Sequence, residues 1–315
     1  MKNETLLTIT VVTYNHEKYI KKCIESILRQ KIKVPYKIII GDDCSSDDTL
    51  KIVNIYKKEY PEIITVLTHD KNMGDNGISN NLRLYRAAEG KYLIPFDGDD
   101  IMLPGKINAQ LNIMEKFLNV NACYHRVECI DSKGNKISNI KQPNKSFFFK
   151  QEQFVKHGTF VLNTSVMYRL NSLDFDLFIK KHNGYVGDYI LHILSTRTGD
   201  AYYKNQTFSQ YRKHSSSFTS NPVLQYKKYK LSIEILNSLS SYINHKKSLN
   251  YGISRLESLN ALVYLKNKQF NKFKVFTKNK LLKKKILFQH EYFYLTLMLY
   301  YTPKKILKFI LNFKK

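Results

Sequence analysis

The chain reads as an α/β protein: a mostly parallel, mixed sheet flanked by helices, followed by a basic helical extension. Three observations predict this. Apolar, β-branched runs alternate with amphipathic segments through the first 118 residues. Those runs end in polar or acidic residues, at Thr13-Tyr14-Asn15, Asp42-Asp43 and Asp97 to Asp100. Lysine then dominates the polar positions beyond residue 222. A length of 315 residues suits one large domain or two smaller ones with a substantial core.

Each element has its own signal. Leu6 to Thr13 is a β-branched run and a first strand. From Glu17 to Gln30, Tyr19, Ile20, Cys23, Ile24, Ile27 and Leu28 share one helical face. Lys37 to Ile40 is a second strand, and Ser45-Ser46-Asp47-Asp48 supplies N-cap chemistry for a helix to about Glu59. Ile63 to Leu67 is a third strand, followed by a Gly-containing loop, a helix to Ala88 and the strand Tyr92 to Phe96. Pro104 opens the next helix, which runs to about Leu118. Beyond residue 120 the pattern predicts strands at Ala122 to Ile130 and Val161 to Tyr168. It also predicts a mobile surface loop around Phe147-Phe148-Phe149, a helix from Tyr189 to Thr196 and a short hairpin from Tyr202 to Arg212. From Leu224 onward the chain is helical, ending in a basic amphipathic tail, Ile306 to Lys315.

The sharpest chemical signal is Asp97-Gly98-Asp99-Asp100. Three carboxylates in four residues repel one another unless a cation lies among them. Hard oxygen ligands with few sulfur or imidazole neighbours point to Mg²⁺ or Mn²⁺, which commonly carries phosphate oxygens as well. A solvated acidic turn or a helix N-cap is the plain alternative. In a parallel sheet the three polar strand ends fall on one edge, where open α/β sheets place their ligand crevice.

The formal net charge is +25, unevenly spread. Val223 to Lys315 holds 20 Lys and Arg against Glu234, Glu257 and Glu291, a net +17 that leaves +8 for residues 1–222. Such an appendage suits an anionic partner, either a membrane surface or nucleic acid. A composition rich in Lys, Asn, Ile and Tyr throughout offers a second explanation without function. The four cysteines, Cys23, Cys44, Cys123 and Cys129, lack metal-ligand spacing, and no signal peptide precedes the first strand. A reduced, cytoplasmic protein is expected. No apolar run approaches the roughly 20 residues of a membrane-spanning helix.

Taken together, Thr10-Val11-Val12-Thr13-Tyr14-Asn15, Ile40-Gly41-Asp42-Asp43-Cys44-Ser45-Ser46-Asp47-Asp48-Thr49 and Phe96-Asp97-Gly98-Asp99-Asp100 resemble the family 2 glycosyltransferases with a GT-A, Rossmann-like fold. The order and spacing match over about residues 6 to 215. The resemblance implies inverting, metal-dependent transfer of a sugar from a nucleotide diphosphate. It assigns Tyr14 to the uracil pocket with Thr13 and Asn15 beside it, and Asp42 and Asp43 to the N3–H of the base; a packed surface tyrosine at 14 and a turn-capping Asp42 are the alternatives. That contact favours a UDP-sugar, or a dTDP-sugar. Asp97 and Asp99 match the D-x-D signature with Gly98 between them, Asp99 as direct ligand of Mn²⁺ or Mg²⁺ and Asp97 in support. Asp188 matches the base that deprotonates the acceptor; a plain helix N-cap is the alternative. Arg212 and His214 are candidates for neutralising or covering the diphosphate, and His214 is also a candidate metal ligand. One departure stands out: Ser79-Asn80-Asn81 occupies the region where many members carry an Arg-Asn pair, with Arg83 and Arg86 nearby.

On this reading residues 1–220 form the transferase domain, with a nucleotide-sugar half (1–118) and an acceptor half (119–220), and 221–315 the helical basic region. The expected acceptor is a glycan or lipid-linked glycan of a bacterial surface polysaccharide, lipopolysaccharide or capsule. Residues 290–315 would meet the inner face of an anionic membrane, or the C-terminal helices a second copy. Two other readings remain. A nucleotidyltransferase would want a Gly-rich, basic phosphate loop after the first strand, which Thr13-Tyr14-Asn15-His16-Glu17 lacks. A nucleic-acid-binding protein would want aromatics and cations along a groove, whereas the aromatic spacing in the tail is helical and core-like.

Overall fold

A computed structural model describes residues 5–74, 77–137, 140–177, 187–214, 222–279 and 291–303. The chain divides into two compact units, Met1–Phe154 with Thr159–Ser220, and Val155–Gly158 with Asn221–Lys315.

The first unit is built on one mixed sheet. Its strands are Leu7–Thr13 (β1), Tyr36–Asp42 (β2), Ile64–Thr68 (β3), Tyr92–Asp97 (β4), Ile101–Met102 (β5), Val120–Ile130 (β6), Phe147–Phe149 (β7), Met167–Arg169 (β8) and Asp200–Arg212 (β9). They lie in the order β3-β2-β1-β4-β8-β6-β9-β5, with β7 paired to β9. β1 to β4 run parallel; β8 is antiparallel to β4 and β6, and β9 is parallel to β6. The register sets Thr13 beside Asp42, and Val12 beside Asp97. The polar strand ends therefore line one edge, as the sequence predicts.

Helices Ile20–Leu28 (α1), Thr49–Glu59 (α2), Ile78–Ala87 (α3) and Lys106–Lys116 (α4) follow the strands. Strands covered on both faces need apolar residues throughout, and Leu7, Ile9, Val11, Ile38, Ile40, Ile94 and Phe96 are buried accordingly. α1 buries Ile20, Cys23, Ile24 and Ile27. It is also stapled to the segment after the acidic motif: Ser26 Oγ accepts from Met102 N (2.9 Å), and Gln30 donates to Leu103 O (2.9 Å).

Several boundaries differ from expectation. Tyr202 to Arg212 is no hairpin but part of one 13-residue strand. Its polar stretch is a bulge: the β9 partner of His125 is Lys204, while that of Arg126 is Thr207. The bulged Asn205 is held by Ser146 Oγ and by Asn144 O (2.9 and 2.5 Å). Phe147-Phe148-Phe149 is a strand rather than a mobile loop, because β9 offers it an open edge. The strand expected at Val161 to Tyr168 shrinks to β8, since a 3₁₀ turn at Asn163–Ser165 takes up its first half. α4 begins at Lys106 rather than at Pro104, because the N-cap Gly105 takes a left-handed φ of 86°, which a right-handed helix cannot include. Asp48 occupies the α2 N-cap without a side-chain bond; Asp47 accepts from Thr49 N (2.9 Å) instead. Gln151–His157 forms α5 and Gly187–Ser195 forms α6.

The second unit is helical, as expected: Pro222–Ser238 (α7), Lys246–Lys266 (α8), Phe270–Thr277 (α9) and Glu291–Tyr301 (α10). Ala261, Leu265, Phe270 and Phe273 make a small core there. The tail Ile306 to Lys315 lies outside the described residues, as do Asp75, Asn76, Tyr185 and Val186. Among the described residues no helix is long and apolar enough to cross a membrane.

Gly41 shows how tightly α3 docks on β2. Asn80 is fully buried, donates to Gly41 O (2.7 Å), and its Oδ1 would overlap a Cβ at Gly41, with Leu84 methyls 3.0 Å away. Gly41→Ala should therefore destabilise the protein by about 1–3 kcal/mol, the usual cost of overpacking. The expected readout is a lower urea midpoint at unchanged m-value; an unchanged midpoint would show that the helix yields instead.

Candidate active site

The acidic motif sits where β4 leaves the sheet. Gly98 N donates to Val12 O (2.9 Å), which presses the loop against β1. A Cβ at Gly98 would stand 3.0 Å from Thr13 Oγ1 and 3.1 Å from His16 Nδ1, so a larger residue between the two acids would crowd both side chains. Asp100 is fully buried and accepts from Arg212 N (2.9 Å) at the end of β9.

β9 thus delivers Arg212 and His214 to the acids. Arg212 Nε donates to Asp99 O (2.8 Å), its Nη1 donates to Asp131 O (2.9 Å), and the guanidinium lies 4.7 Å above the Tyr19 ring. It is only 3% exposed. This revises the expectation of a mobile diphosphate lid: Arg212 is a buried clamp that fixes the backbone of the acidic loop. His214 Nε2 lies 2.9 Å from Asp99 Oδ2, and its ring packs 5.3 Å from Tyr19 and 6.5 Å from His16. Asp99 and His214 therefore form one unit, consistent in geometry with a shared cation.

The electrostatics separate the three acids. Burial pushes Asp97 up to about 7, with help from the charges of Asp99 and Asp188. Burial also drives Asp100 well above the carboxylate range, reinforced by Asp99 and Asp97. For Asp99 burial acts in the same direction, but the His214 hydrogen bond and the charges of His16 and His214 hold it below its ordinary value. Burial lowers His16, whose Nδ1 finds no partner among the described residues. The low-pKa acid is the one beside the histidines.

Asp188 stands in the first turn of α6, exposed, with Oδ1 accepting from Tyr189 N (2.8 Å). It is the second residue of the helix, so the N-cap alternative does not describe it. Its charge reaches Asp97, Tyr85 and Tyr168. One turn on, His192 is fully buried with Nδ1 on the hydroxyls of Tyr124 (2.9 Å) and Tyr168 (2.7 Å), which ties α6 to β6 and β8. Burial lowers His192 to about 4, so it stays neutral.

On the β1–β2 side the loops are sewn together. Asn15 adopts φ 53°, takes Ser45 Oγ on its N–H and accepts from Ser46 N, both at 2.9 Å. His16 N donates to Thr49 Oγ1 (2.8 Å), and Glu17 N to Asp47 Oδ2 (3.1 Å). Tyr14 stands 43% exposed beside this seam. Asp42 matches its turn-capping alternative: fully buried, it accepts Ser45 N (2.9 Å) and Ser45 Oγ (2.5 Å), one on each oxygen, and so builds the turn. Asp43 accepts from Asn72 Nδ2 (3.1 Å) and Met73 N (3.2 Å), holding the loop after β3. Where an Arg-Asn pair was missing, Asn80 docks α3, Asn81 donates to Gly77 O, and Arg83 donates to Thr68 O.

Reading from sequence missed His16 and Tyr19; a histidine three residues past a strand end was the available signal. Among the described residues no three His, Cys, Asp or Glu side chains converge as a ready metal cage. The donor set nonetheless fits a hard cation. Asp99 with His214, supported by Asp97, offers a partial ligand set, and Mg²⁺ or Mn²⁺ usually completes its shell with substrate phosphates and water.

The raised Asp97 has a consequence for stability. Its folded pKa of about 7 exceeds the ordinary 3.8. The folded state then keeps a proton that the unfolded chain releases, and stability from this group falls as pH rises through that window. Without divalent cation or donor, Asp97→Asn should raise the melting temperature more at pH 8 than at pH 4. Equal shifts at both pH values would refute the assignment.

Three kinds of similarity place this geometry. The sequence profile described as Glycosyl transferase family 2 matches residues 8–175. An uncharacterised protein of Mycobacterium tuberculosis is 26% identical over 209 residues, 66% of this chain and 59% of that protein. An uncharacterised glycosyltransferase of Methanocaldococcus jannaschii is 29% identical over 192 residues, 56% of this chain and 65% of that one. The chain thus spans about three-fifths of the length of these relatives. The poly(ribitol-phosphate) beta-N-acetylglucosaminyltransferase TarS of Staphylococcus aureus is 35% identical over 94 residues, 30% of this chain and 16% of TarS. A crystal structure of TarS residues 1–349 in complex with UDP-GlcNAc superposes with a TM-score of 0.61 at 16% identity, covering 90% of this chain and 77% of that one, which establishes a shared fold. With the family profile covering more than half of its length and the D-x-D acids at the carboxyl edge of a GT-A-like sheet, the chain belongs to glycosyl transferase family 2.

Proposed function

We propose that the first unit transfers a sugar from a UDP-sugar to an acceptor hydroxyl with inversion at the anomeric carbon. What supports this is the gathering of the polar ends of β1, β2 and β4 on one sheet edge, with Asp188 of α6 within electrostatic reach of Asp97. Asp188 is exposed and takes the acceptor's proton as the hydroxyl oxygen attacks the anomeric carbon from the face opposite the diphosphate. The diphosphate leaves on the side of Asp97 and Asp99. Asp99 with His214, and Asp97 beside them, would hold Mn²⁺ or Mg²⁺, which when bound stabilises charge on the departing diphosphate. Thr13, Tyr14, Asn15 and Asp43 line the base-binding side, with the Tyr14 ring free to stack. Arg212 acts one step back, fixing the acidic loop. The similarity to TarS, crystallised with UDP-GlcNAc, supports a UDP-sugar over the dTDP alternative.

For the acceptor we infer a glycan or lipid-linked glycan of a bacterial surface polymer. The sequence similarity to a poly(ribitol-phosphate) glycosyltransferase supports this. The +17 of residues 223–315 supports contact with an anionic membrane through residues 290–315 at its cytoplasmic face; pairing of two copies through the C-terminal helices is the competing use of the same region. Family membership removes the ground for a nucleotidyltransferase, and the helical, core-like spacing of the tail's aromatics weighs against nucleic acid.

Asp188→Asn should lower kcat about 10²–10⁴-fold, the usual contribution of a general base, and leave the Kd for UDP unchanged. Asp99→Asn should weaken Mn²⁺-dependent UDP binding in calorimetry at least tenfold. Near-normal turnover by Asp188→Asn would overturn the base assignment, and UDP binding that ignores Mn²⁺ would overturn the metal assignment.

A further inference from the structure

A second cavity lies at the opposite end of the sheet from the acids. It measures about 650 Å³, within the range of small-ligand sites. Ala88, just before β4, and Leu170, just after β8, form its floor, whereas Asp97 ends β4 at the other edge. Arg197 and Thr198, just past the end of α6, form another wall. α6 has Asp188 in its first turn, and its nine residues span about 13 Å at 1.5 Å per residue. Tyr85 also lines the cavity, and its phenol feels the charges of both Asp97 and Asp188.

The lining has a definite chemistry. Two cations, Arg86 and Arg197, face two anions, Asp174 and Asp176. An anionic ligand would meet the aspartates and a cationic one the arginines, so charge balance selects a neutral molecule. Arg86 has no ion pair or hydrogen bond among the described residues, and the Arg197–Asp174 pair is loose at 4.0 Å. Half-buried Phe175 lines the cavity and stacks on Tyr85 (5.7 Å, 19°), offering an apolar ring face between the charges. Guanidinium donors, carboxylate acceptors and an aromatic platform together match a molecule with many hydroxyls and flat C–H faces.

We propose that this cavity is a remote subsite for uncharged sugar units of the acceptor glycan. It rests on the glycosyltransferase reading, and it gives that reaction a second hold on a polymer whose reacting hydroxyl stands at Asp188. Binding energy gathered away from the reacting centre is a recognised way of holding that centre in place.

The test is calorimetric binding of cellohexaose, maltohexaose and chitohexaose to the full chain. At least one should bind wild type and Asp188→Asn with the same Kd, and saturating UDP with Mn²⁺ should not displace it. Arg86→Ala, at an exposed side chain without a partner among the described residues, and Phe175→Ala should each weaken it at least tenfold at unaltered melting temperature. Where Phe175→Ala melts early, Arg86→Ala alone decides. Absence of binding by all three hexasaccharides, displacement by UDP, or binding that survives Arg86→Ala overturns the subsite. Loss of the subsite with Asp188-dependent turnover intact refutes this inference alone; near-normal turnover by Asp188→Asn refutes the reading beneath it.

Discussion

Burying carboxylates is expensive, and this protein buries Asp100 fully and Asp97 and Asp99 in large part, all within four residues. Asp97, Asp99 and Asp100 leave β4 into a space too dry to let all of them ionise. The rest of the site follows from that constraint. β9 must run its full 13 residues so that Arg212 and His214 arrive beside the acids, and the bulge at Asn205 adjusts its register on the way. Lys106, fully buried below Phe96, adds a second cation to the same region; burial depresses it to about 7 against the pull of Asp100.

The constraint also assigns different duties to similar residues. Asp42 and Asp43 are neighbours in sequence, yet Asp42 is committed to a turn and Asp43 to the loop after β3. Asp97 and Asp99 are two residues apart, yet their proton affinities move in opposite directions because only Asp99 touches an imidazole. Local hydrogen bonding, more than residue type, decides which acid is charged.

Much of this was legible in the sequence. Strands covered on both faces give unbroken apolar runs, so β1, β2 and β4 stood out, and with them the acids at their ends. The family resemblance rested on those three strand ends and holds. The acceptor half was harder to read. A polar triplet inside β9 has the composition of a turn, and only the partner strand reveals a bulge. Phe147 to Phe149 became a strand because β9 had an edge to fill, which no local pattern announces. Arg212 could not be recognised as a clamp, since its acceptors are the carbonyls of Asp99 and Asp131, far away in sequence. The cavity behind Tyr85 was invisible for a similar reason: short pieces around residues 86, 174 and 197 build it, and none has a periodicity or motif of its own.

The seam between the turns after β1 and β2 has a further consequence. Asn15, His16 and Glu17 exchange hydrogen bonds with Ser45, Ser46, Asp47 and Thr49. These contacts lie within the chain, so the conformational entropy of ordering that corner is settled when the chain folds. On the function proposed above, the donor's base would then meet a surface already in shape.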